Sequence, residues 1–137
     1  MDLENLRKTL IADEGLKLSL YKCTSGKNTI GVGRNLDDRG ISNETAMQML
    51  DEDIELIQHE LKENISFFHT LPDIVQQALC NLVFNMGVSR FLAFKKTLVH
   101  LRNHEWDKAA DELLDSKYAS QLPNRSKRVA DMIRSAK

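Results

Sequence analysis

The sequence predicts a mainly helical α+β fold, in which a long helix joins a small β-hairpin lobe to a helical lobe. Residues 16–36 are rich in turn and β-prone residues, residues 42–62 carry a long helical apolar repeat, and short polar turns separate the apolar stretches that follow. A chain of 137 residues with 42% apolar and 28% charged residues can bury a core without disulfides. We predict one domain, with residues 14–60 as the β-containing lobe and connecting helix, and residues 1–13 plus 61–137 as the helical lobe.

The first lobe is expected to follow a helix over residues 3–13, which Asp2 caps and Gly15 ends. The apolar residues of this helix have helical spacing: Leu3, Leu6, Leu10 and Ile11. Next, Leu18 and Leu20 alternate with polar residues, residues 24–28 form a turn, and residues 29–33 form a glycine-interrupted strand. This pattern predicts a small twisted hairpin, followed by another turn at residues 37–40.

The connecting helix is expected to start at Ser42-Asn43 and to run to about Lys62. One of its faces is apolar: Ala46, Leu50, Ile54, Ile57 and Leu61. Pro72 opens the next helix and Gly87 closes it, with these residues facing inward: Val75, Ala78, Leu79, Leu82, Val83 and Met86. Three more helices are predicted over residues 91–103, 105–116 and 123–135. The aromatic residues assigned to the core of this lobe are Phe84, Phe91, Phe94 and Trp106.

Charge and hydropathy narrow the possible functions. The net charge of −1 argues against a nucleic-acid binder, although one basic cluster occurs near the end of the chain: Arg125, Lys127, Arg128 and Arg134. We interpret this cluster as a solvated face, or as one that meets an anionic cell wall. No apolar run approaches the roughly 18 residues of a membrane span, and the first residues do not resemble a secretory signal. We therefore expect a cytosolic protein without stable membrane insertion.

The cysteines and histidines are not expected to bind metal or to form a disulfide. Cys80 lies in an apolar run and is predicted to be a small buried residue, while a bond to Cys23 is disfavoured in a protein without an export signal. His100 and His104 are four residues apart, and we predict a solvated helix face there instead of half a zinc site. No cofactor is expected.

A carboxylate, a thiol and a hydroxyl lie at intervals of nine and six residues near the start of the chain. They are Glu14, Cys23 and Thr29, and a hairpin after a helix end can direct all three into one cleft. Cleavage of a glycosidic bond needs an acid on one side and a group that activates water on the other. Partial desolvation of Glu14 by Leu10, Ile11 and Leu16 would favour the protonated form of its carboxyl group. A nearby lysine, Lys22 or Lys27, could raise the thiolate fraction of Cys23.

The sequence resembles the phage-type lysozymes, the muramidases of the T4 endolysin type (glycoside hydrolase family 24). The resemblance covers nearly the whole chain and is carried by residues 13–33, by the Leu82-Val-Phe-Asn-Met-Gly87 segment, and by residues 106–110 followed by Pro123-Asn-Arg-Ser-Lys-Arg128. It implies a two-lobed lysozyme fold and hydrolysis of the β-1,4 bond between N-acetylmuramic acid and N-acetylglucosamine in peptidoglycan. It also implies a phage or prophage lysis protein, acting as a monomer, to which a holin gives access to the wall.

The resemblance places the family's acid on Glu14, its water-activating position on Cys23 and its hydroxyl on Thr29. The family accepts aspartate or cysteine in the middle position. The resemblance also implies that Arg125 folds back onto Glu14, and that Asn85, Tyr21 and Gln121 line the saccharide groove. The chain departs from T4 endolysin in having Arg34 in place of a histidine and a shorter connection to the long helix.

Several alternatives remain open from the sequence. Cys23 could be the base, or a packed thiol that leaves Thr29 to position water alone. If Cys23 cannot activate water, the chain could be a lytic transglycosylase in which the sugar's own 6-hydroxyl attacks. A non-catalytic peptidoglycan-binding module is the third possibility, although a binder need not keep Glu14, Thr29 and Arg125 together.

Overall fold

The computed structural model describes residues 1–136. The chain divides into two compact units, Met1–Gln48 and a second unit that begins at Met49. The first unit contains a three-stranded antiparallel sheet and the second is helical. The predicted α+β class, mainly α, is therefore confirmed. The assignment of residues 1–13 to the helical lobe stays a prediction.

The first unit runs from one helix through the sheet to a second, one-turn helix. In chain order its elements are α1 (Leu3–Glu14), β1 (Lys17–Lys22), β2 (Asn28–Gly31), β3 (Arg34–Asn35) and α2 (Leu36–Arg39). The Asp2 carboxylate accepts a hydrogen bond from the Asn5 amide at 3.1 Å and so caps α1, as predicted. Gly15, with φ +81°, ends the helix.

The sheet has one more strand than predicted. The strand expected over residues 29–33 ends at Gly31, and the chain turns through Val32 and Gly33 into β3, which pairs with β2. Gly31 and Gly33 have φ angles of +70° and +63°, which an extended strand does not allow. The glycines therefore make a turn, and the prediction of a glycine-interrupted strand is wrong there.

The leucines of β1 are exposed. The pairing of β1 with β2 is irregular between Lys17 and Tyr21, and Leu18 and Leu20 within this stretch are 88% and 59% exposed. Thr29 is the one buried residue among those described in this unit. The sheet is thus held mainly by its backbone ladder and its turns.

The long helix is α3 (Asn43–Asn64), and it crosses from the first unit into the second. The Ser42 hydroxyl accepts from the Thr45 amide at 3.1 Å, which confirms the predicted start. Of the predicted apolar face, Ile57 and Leu61 are buried, whereas Ile54 is exposed. The turn predicted at residues 37–40 is instead the short helix α2, capped by Asn35.

The second unit is a bundle of short helices around one core. After a 3-10 turn at Phe68–Thr70 its helices are α4 (Asp73–Met86), α5 (Val88–Phe91), α6 (Lys95–Arg102), α7 (Trp106–Leu114), α8 (Lys117–Gln121) and α9 (Pro123–Arg134). The helix predicted over residues 91–103 is α6, which starts only at Lys95. The prediction contains no helix over Val88–Phe91 (α5), and none at α8. Its five residues are too few for a hydrophobic period to show in the sequence.

The core of the second unit confirms most of the predicted inward positions. Val75, Ala78, Leu79, Leu82 and Val83 of α4 are buried, as are these residues of other elements: Phe68, Phe91, Leu101, Ala109, Ala110, Leu113, Val129, Ala130 and Ile133. Trp106 and Phe94 pack against this core from its edge.

Three side-chain predictions in this unit need correction. Phe84 is 49% exposed and does not belong to the core, and Cys80 is only half-buried. His100 is not on a solvated face, because its Nδ1 lies 3.1 Å from the Glu105 carboxylate and its side chain is largely buried. His104 stacks on the Trp106 ring at 4.9 Å between centroids.

Candidate active site

The β1–β2 hairpin brings together three of the predicted site residues. Thr29 on β2 lies opposite Tyr21 on β1, and Cys23 follows two residues after Tyr21. Directly opposed residues of an antiparallel pair place their side chains next to each other, so Tyr21 and Thr29 are neighbours, and Cys23 lies just beyond the end of β1 at Lys22. Thr29 is 2% exposed, and its hydroxyl donates to the Lys27 carbonyl at 2.9 Å. The turn closes with the Cys23 amide donating to the same carbonyl at 3.0 Å.

Several hydrogen-bond donors of the β1–β2 turn surround the Cys23 thiol. Its Sγ is 3.2 Å from the Ser25 hydroxyl. The Ser25 hydroxyl, followed by the backbone amides of Lys27 and Ser25, lowers the pKa of Cys23 from 9.0 to about 7, against a smaller opposing effect of burial. This lowering of the pKa favours the Cys23 thiolate at neutral pH.

The cause of this activation differs from the prediction. We expected the charge of Lys22 or Lys27 to favour the thiolate, but the lowering of the Cys23 pKa comes from hydrogen bonds. The Lys27 ammonium lies 3.3 Å from the Asp38 carboxylate. The carboxylate of Asp38, a residue of α2, therefore offsets the charge of Lys27.

Glu14 ends α1 and reaches the turn between β2 and β3. A Cβ atom built on Gly33 would lie 2.9 Å from the Glu14 Oε2 atom, so the carboxylate occupies the space that the missing side chain leaves. Glu14 is exposed, and so are Leu10, Ile11 and Leu16, so the predicted desolvation by these neighbours is wrong.

Glu14 and Cys23 flank Thr29 along the sheet. Cys23 lies at the β1–β2 turn, Glu14 at the β2–β3 turn, and Thr29 between them on a strand of four residues. A strand of that length spans roughly 13 Å. Whether all three groups face one substrate groove stays a prediction.

In the second unit, Arg125 is anchored to α4. Its Nε–H donates to Oδ1 of Asn81 at 2.9 Å, and Nη2 donates to the Asn81 backbone carbonyl at 3.2 Å. Arg125, Asn81 and Phe84 line a pocket of about 360 Å³ on this unit. The predicted contact of Arg125 with Glu14 would join the two units and stays a prediction.

Comparison with known proteins identifies the family. Residues 12–133 match the family model described as Phage lysozyme. The chain belongs to the phage lysozyme family. Lysozymes are glycosidases, and the matched range contains Glu14, Cys23, Thr29 and Arg125.

Named relatives of this phage lysozyme cover nearly the whole chain. Probable T4-type lysozyme 1 of Dictyostelium discoideum is 29% identical over 96% of this chain and 94% of the relative. Probable T4-type lysozyme 2 of the same organism is 32% identical over 93% and 92%. The Endolysin of Salmonella phage P22 is 29% identical over 82% and 80%. The first alignment spans 160 positions, more than the 137 residues present here, so that relative carries segments that this lysozyme lacks.

Within residues 1–136 of this lysozyme family member, the side chains of two predicted groove residues make no hydrogen bond. Asn85 and Gln121 are exposed near the C-terminal ends of α4 and α8. Their proposed contacts with saccharide stay predictions. Sequence reasoning missed Asn81, although an asparagine within the apolar stretch of α4 was a signal that a polar partner lies nearby.

The described residues contain no cluster of three or more histidine, cysteine or acidic side chains that could hold a metal ion. The basic cluster near the end of the chain is largely paired with acids or amides. Lys127 lies 3.8 Å from Asp131, and Arg134 is hydrogen-bonded to Asp111. Over residues 1–136 no helix is both long and apolar enough to cross a membrane.

Proposed function

We propose that this chain hydrolyses the β-1,4 bond between N-acetylmuramic acid and N-acetylglucosamine in peptidoglycan, and so lyses bacterial cells. Membership of the phage lysozyme family supports a glycosidase. The observation that carries the assignment of a hydrolase is the place of the Cys23 thiol beside Thr29, with its Sγ 3.2 Å from the Ser25 hydroxyl, a contact that lowers the pKa of the thiol. The thiolate can take a proton from water.

The hydrogen bonds of Thr29 suggest how water would be held. The single proton of its hydroxyl is donated to the Lys27 carbonyl, so the remaining lone pairs can only accept. The Cys23 thiolate is also an acceptor. A water that donates one O–H bond to each of them keeps its own lone pair free to attack the anomeric carbon.

Glu14 completes the reaction as general acid. Its proton passes to the glycosidic oxygen as the bond from that oxygen to the anomeric carbon breaks, while the water oxygen bonds to the anomeric carbon and the water proton moves to Cys23. The two groups then exchange protons with solvent. Attack by water opposite the leaving group inverts the anomeric configuration. A covalent role for Cys23 is less suitable, because Glu14 would have difficulty releasing a thioglycoside.

The biological setting that we propose is phage or prophage lysis by a monomeric enzyme. Its relative in Salmonella phage P22 is named Endolysin. The substrate lies in the wall, so a holin would open the route from the host cytoplasm.

Substitutions at Cys23 test the proposal. Aspartate is ionised at neutral pH and can act as a base, so Cys23→Asp should keep or improve cell-wall clearing, whereas Cys23→Ser should lose about 10²–10⁴-fold. Cys80→Ser is the matched control, because it removes the other thiol outside this cluster. Clearing is measured by turbidity of permeabilised cells, and products are identified by mass spectrometry.

Three results would contradict the proposal. Equal activity of both Cys23 variants would mean that Cys23 is a packed thiol. Products lighter by one water would indicate 1,6-anhydro ends and a lytic transglycosylase. Absence of clearing by the unchanged protein, with retained binding to walls, would indicate a non-catalytic module.

A further inference from the structure

The Ser25 hydroxyl lies within hydrogen-bond distance of the sulfur of Cys23. The two residues belong to one turn, which the Gly26 amide closes by donating to the Cys23 carbonyl at 2.9 Å. Gly26 has φ +78°, a conformation that favours glycine, and this turn sets Ser25 Oγ 3.2 Å from Cys23 Sγ. The contact is therefore fixed by the backbone of the hairpin.

Among the described residues, Ser25 is also the side-chain hydroxyl free to donate to this sulfur. Thr29 is the other hydroxyl near Cys23, and its proton is donated to the Lys27 carbonyl. Over residues 1–136, Ser25 Oγ makes no second hydrogen bond. A thiolate has no proton to give, so across this contact the serine donates and the sulfur accepts.

We propose that Ser25 is a positioning residue that holds Cys23 in the ionised form and thereby sets the lower pH limit of hydrolysis. The inference rests on the proposed role of Cys23 as the base. Nearby charges do not replace this hydrogen bond: Lys27 is paired with Asp38, and Asp37 accepts from the Asn28 amide at 2.7 Å. Lys22 is exposed on the adjoining strand.

The direct test measures the ionisation of the Cys23 sulfur and not cell lysis. In a Cys80→Ala background, the rate of alkylation by iodoacetamide is followed from pH 5 to pH 10, which gives the midpoint of Cys23 ionisation. Ser25→Ala should raise this midpoint by about one pH unit, which is roughly a tenfold slower alkylation at pH 6. Ser25→Thr keeps the hydroxyl and should restore the midpoint.

Thr24→Ala is the matched control, since it removes an exposed hydroxyl of the neighbouring residue that is not hydrogen-bonded to the sulfur. It should leave the midpoint unchanged. The pH profile of wall clearing is then measured for the same variants, and its rise with pH should move with the alkylation midpoint in Ser25→Ala alone.

Two outcomes would overturn the inference. If Ser25→Ala leaves the alkylation midpoint in place, Ser25 does not hold the thiolate, and the proposed function is untouched. If the midpoint rises but the clearing profile does not, the thiolate does not limit hydrolysis, and the role of Cys23 as base fails with it. Clearing that is lost in Cys23→Ser, together with a fixed midpoint in Ser25→Ala, would reject only the present inference.

Discussion

Replacing Gly33 with alanine should lower the rate of wall clearing by more than the accompanying loss of stability can explain. The new Cβ would lie 2.9 Å from the Glu14 Oε2 atom, and 3.4 and 3.5 Å from the Glu14 Cβ and Cδ atoms. Only the contact with Oε2 is too short, and this atom ends a flexible, exposed side chain. The carboxylate can therefore move aside at little cost in folding, but it leaves the position from which it would protonate the substrate.

Gly31→Ala is the matched control for backbone strain. Gly31 has nearly the same φ angle, +70° against +63°, but a Cβ there would meet nothing within 4 Å. A side chain in this left-handed conformation costs roughly 1–2 kcal/mol, so both variants should be destabilised by a similar amount. A shift of the acid by even a fraction of an ångström should reduce the rate by about 10–100-fold in Gly33→Ala alone.

Two measurements check this reasoning. Urea unfolding should give similar losses in the free energy of unfolding for the two variants, and initial rates of wall clearing should differ between them. Equal clearing rates would refute the placement of Glu14 as the acid beside Gly33. A much larger loss of stability in Gly33→Ala would show that the Glu14 side chain cannot yield as described.

Three further substitutions test the hydroxyl that is proposed to position water, the core of the second unit and a buried hydroxyl without a partner. Thr29→Val keeps the shape of the side chain but removes the acceptor for the attacking water, so the rate of wall clearing should fall at least tenfold. The free energy of unfolding in urea should fall by about 1 kcal/mol, because the hydrogen bond to Lys27 is lost. Unchanged clearing would exclude Thr29 from the reaction. Leu79→Ala, at a fully buried position of α4, should cost about 2–5 kcal/mol in the same unfolding assay, and a loss below 1 kcal/mol would contradict the described core. Ser126→Ala should stabilise the protein by about 1 kcal/mol, because its buried hydroxyl has no hydrogen-bond partner among the described residues; a destabilised variant would indicate a partner, such as bound water.

Regular elements could be predicted where local chemistry decides them. Asp2 and Ser42 are side chains that cap helices in many sequences, and both cap helices here. The α4 helix shows its apolar period over fourteen residues, which is long enough for the inward positions to be identified.

Prediction failed where a residue's surroundings decide its state. Phe84 has an aromatic side chain of the kind that usually belongs to a core, but it lies on the exposed side of α4. The predicted strand through Gly31 and Gly33 failed because glycine tolerates both extended and left-handed backbone, and only the pairing of β3 with β2 selects the turn.

By itself the sequence indicated the family through its resemblance to phage lysozymes, and the helical character through its apolar periods. The roles of Glu14, Cys23 and Thr29 as acid, base and water-positioning hydroxyl stay predictions. Only the tertiary structure decided that Cys23 is activated by hydrogen bonds from Ser25 and backbone amides and not by a lysine. The same holds for the position of Glu14 against Gly33. The physical reason is that a hydrogen bond acts only over about 3 Å, so its partners are set by how the turns close in space and not by separation along the chain.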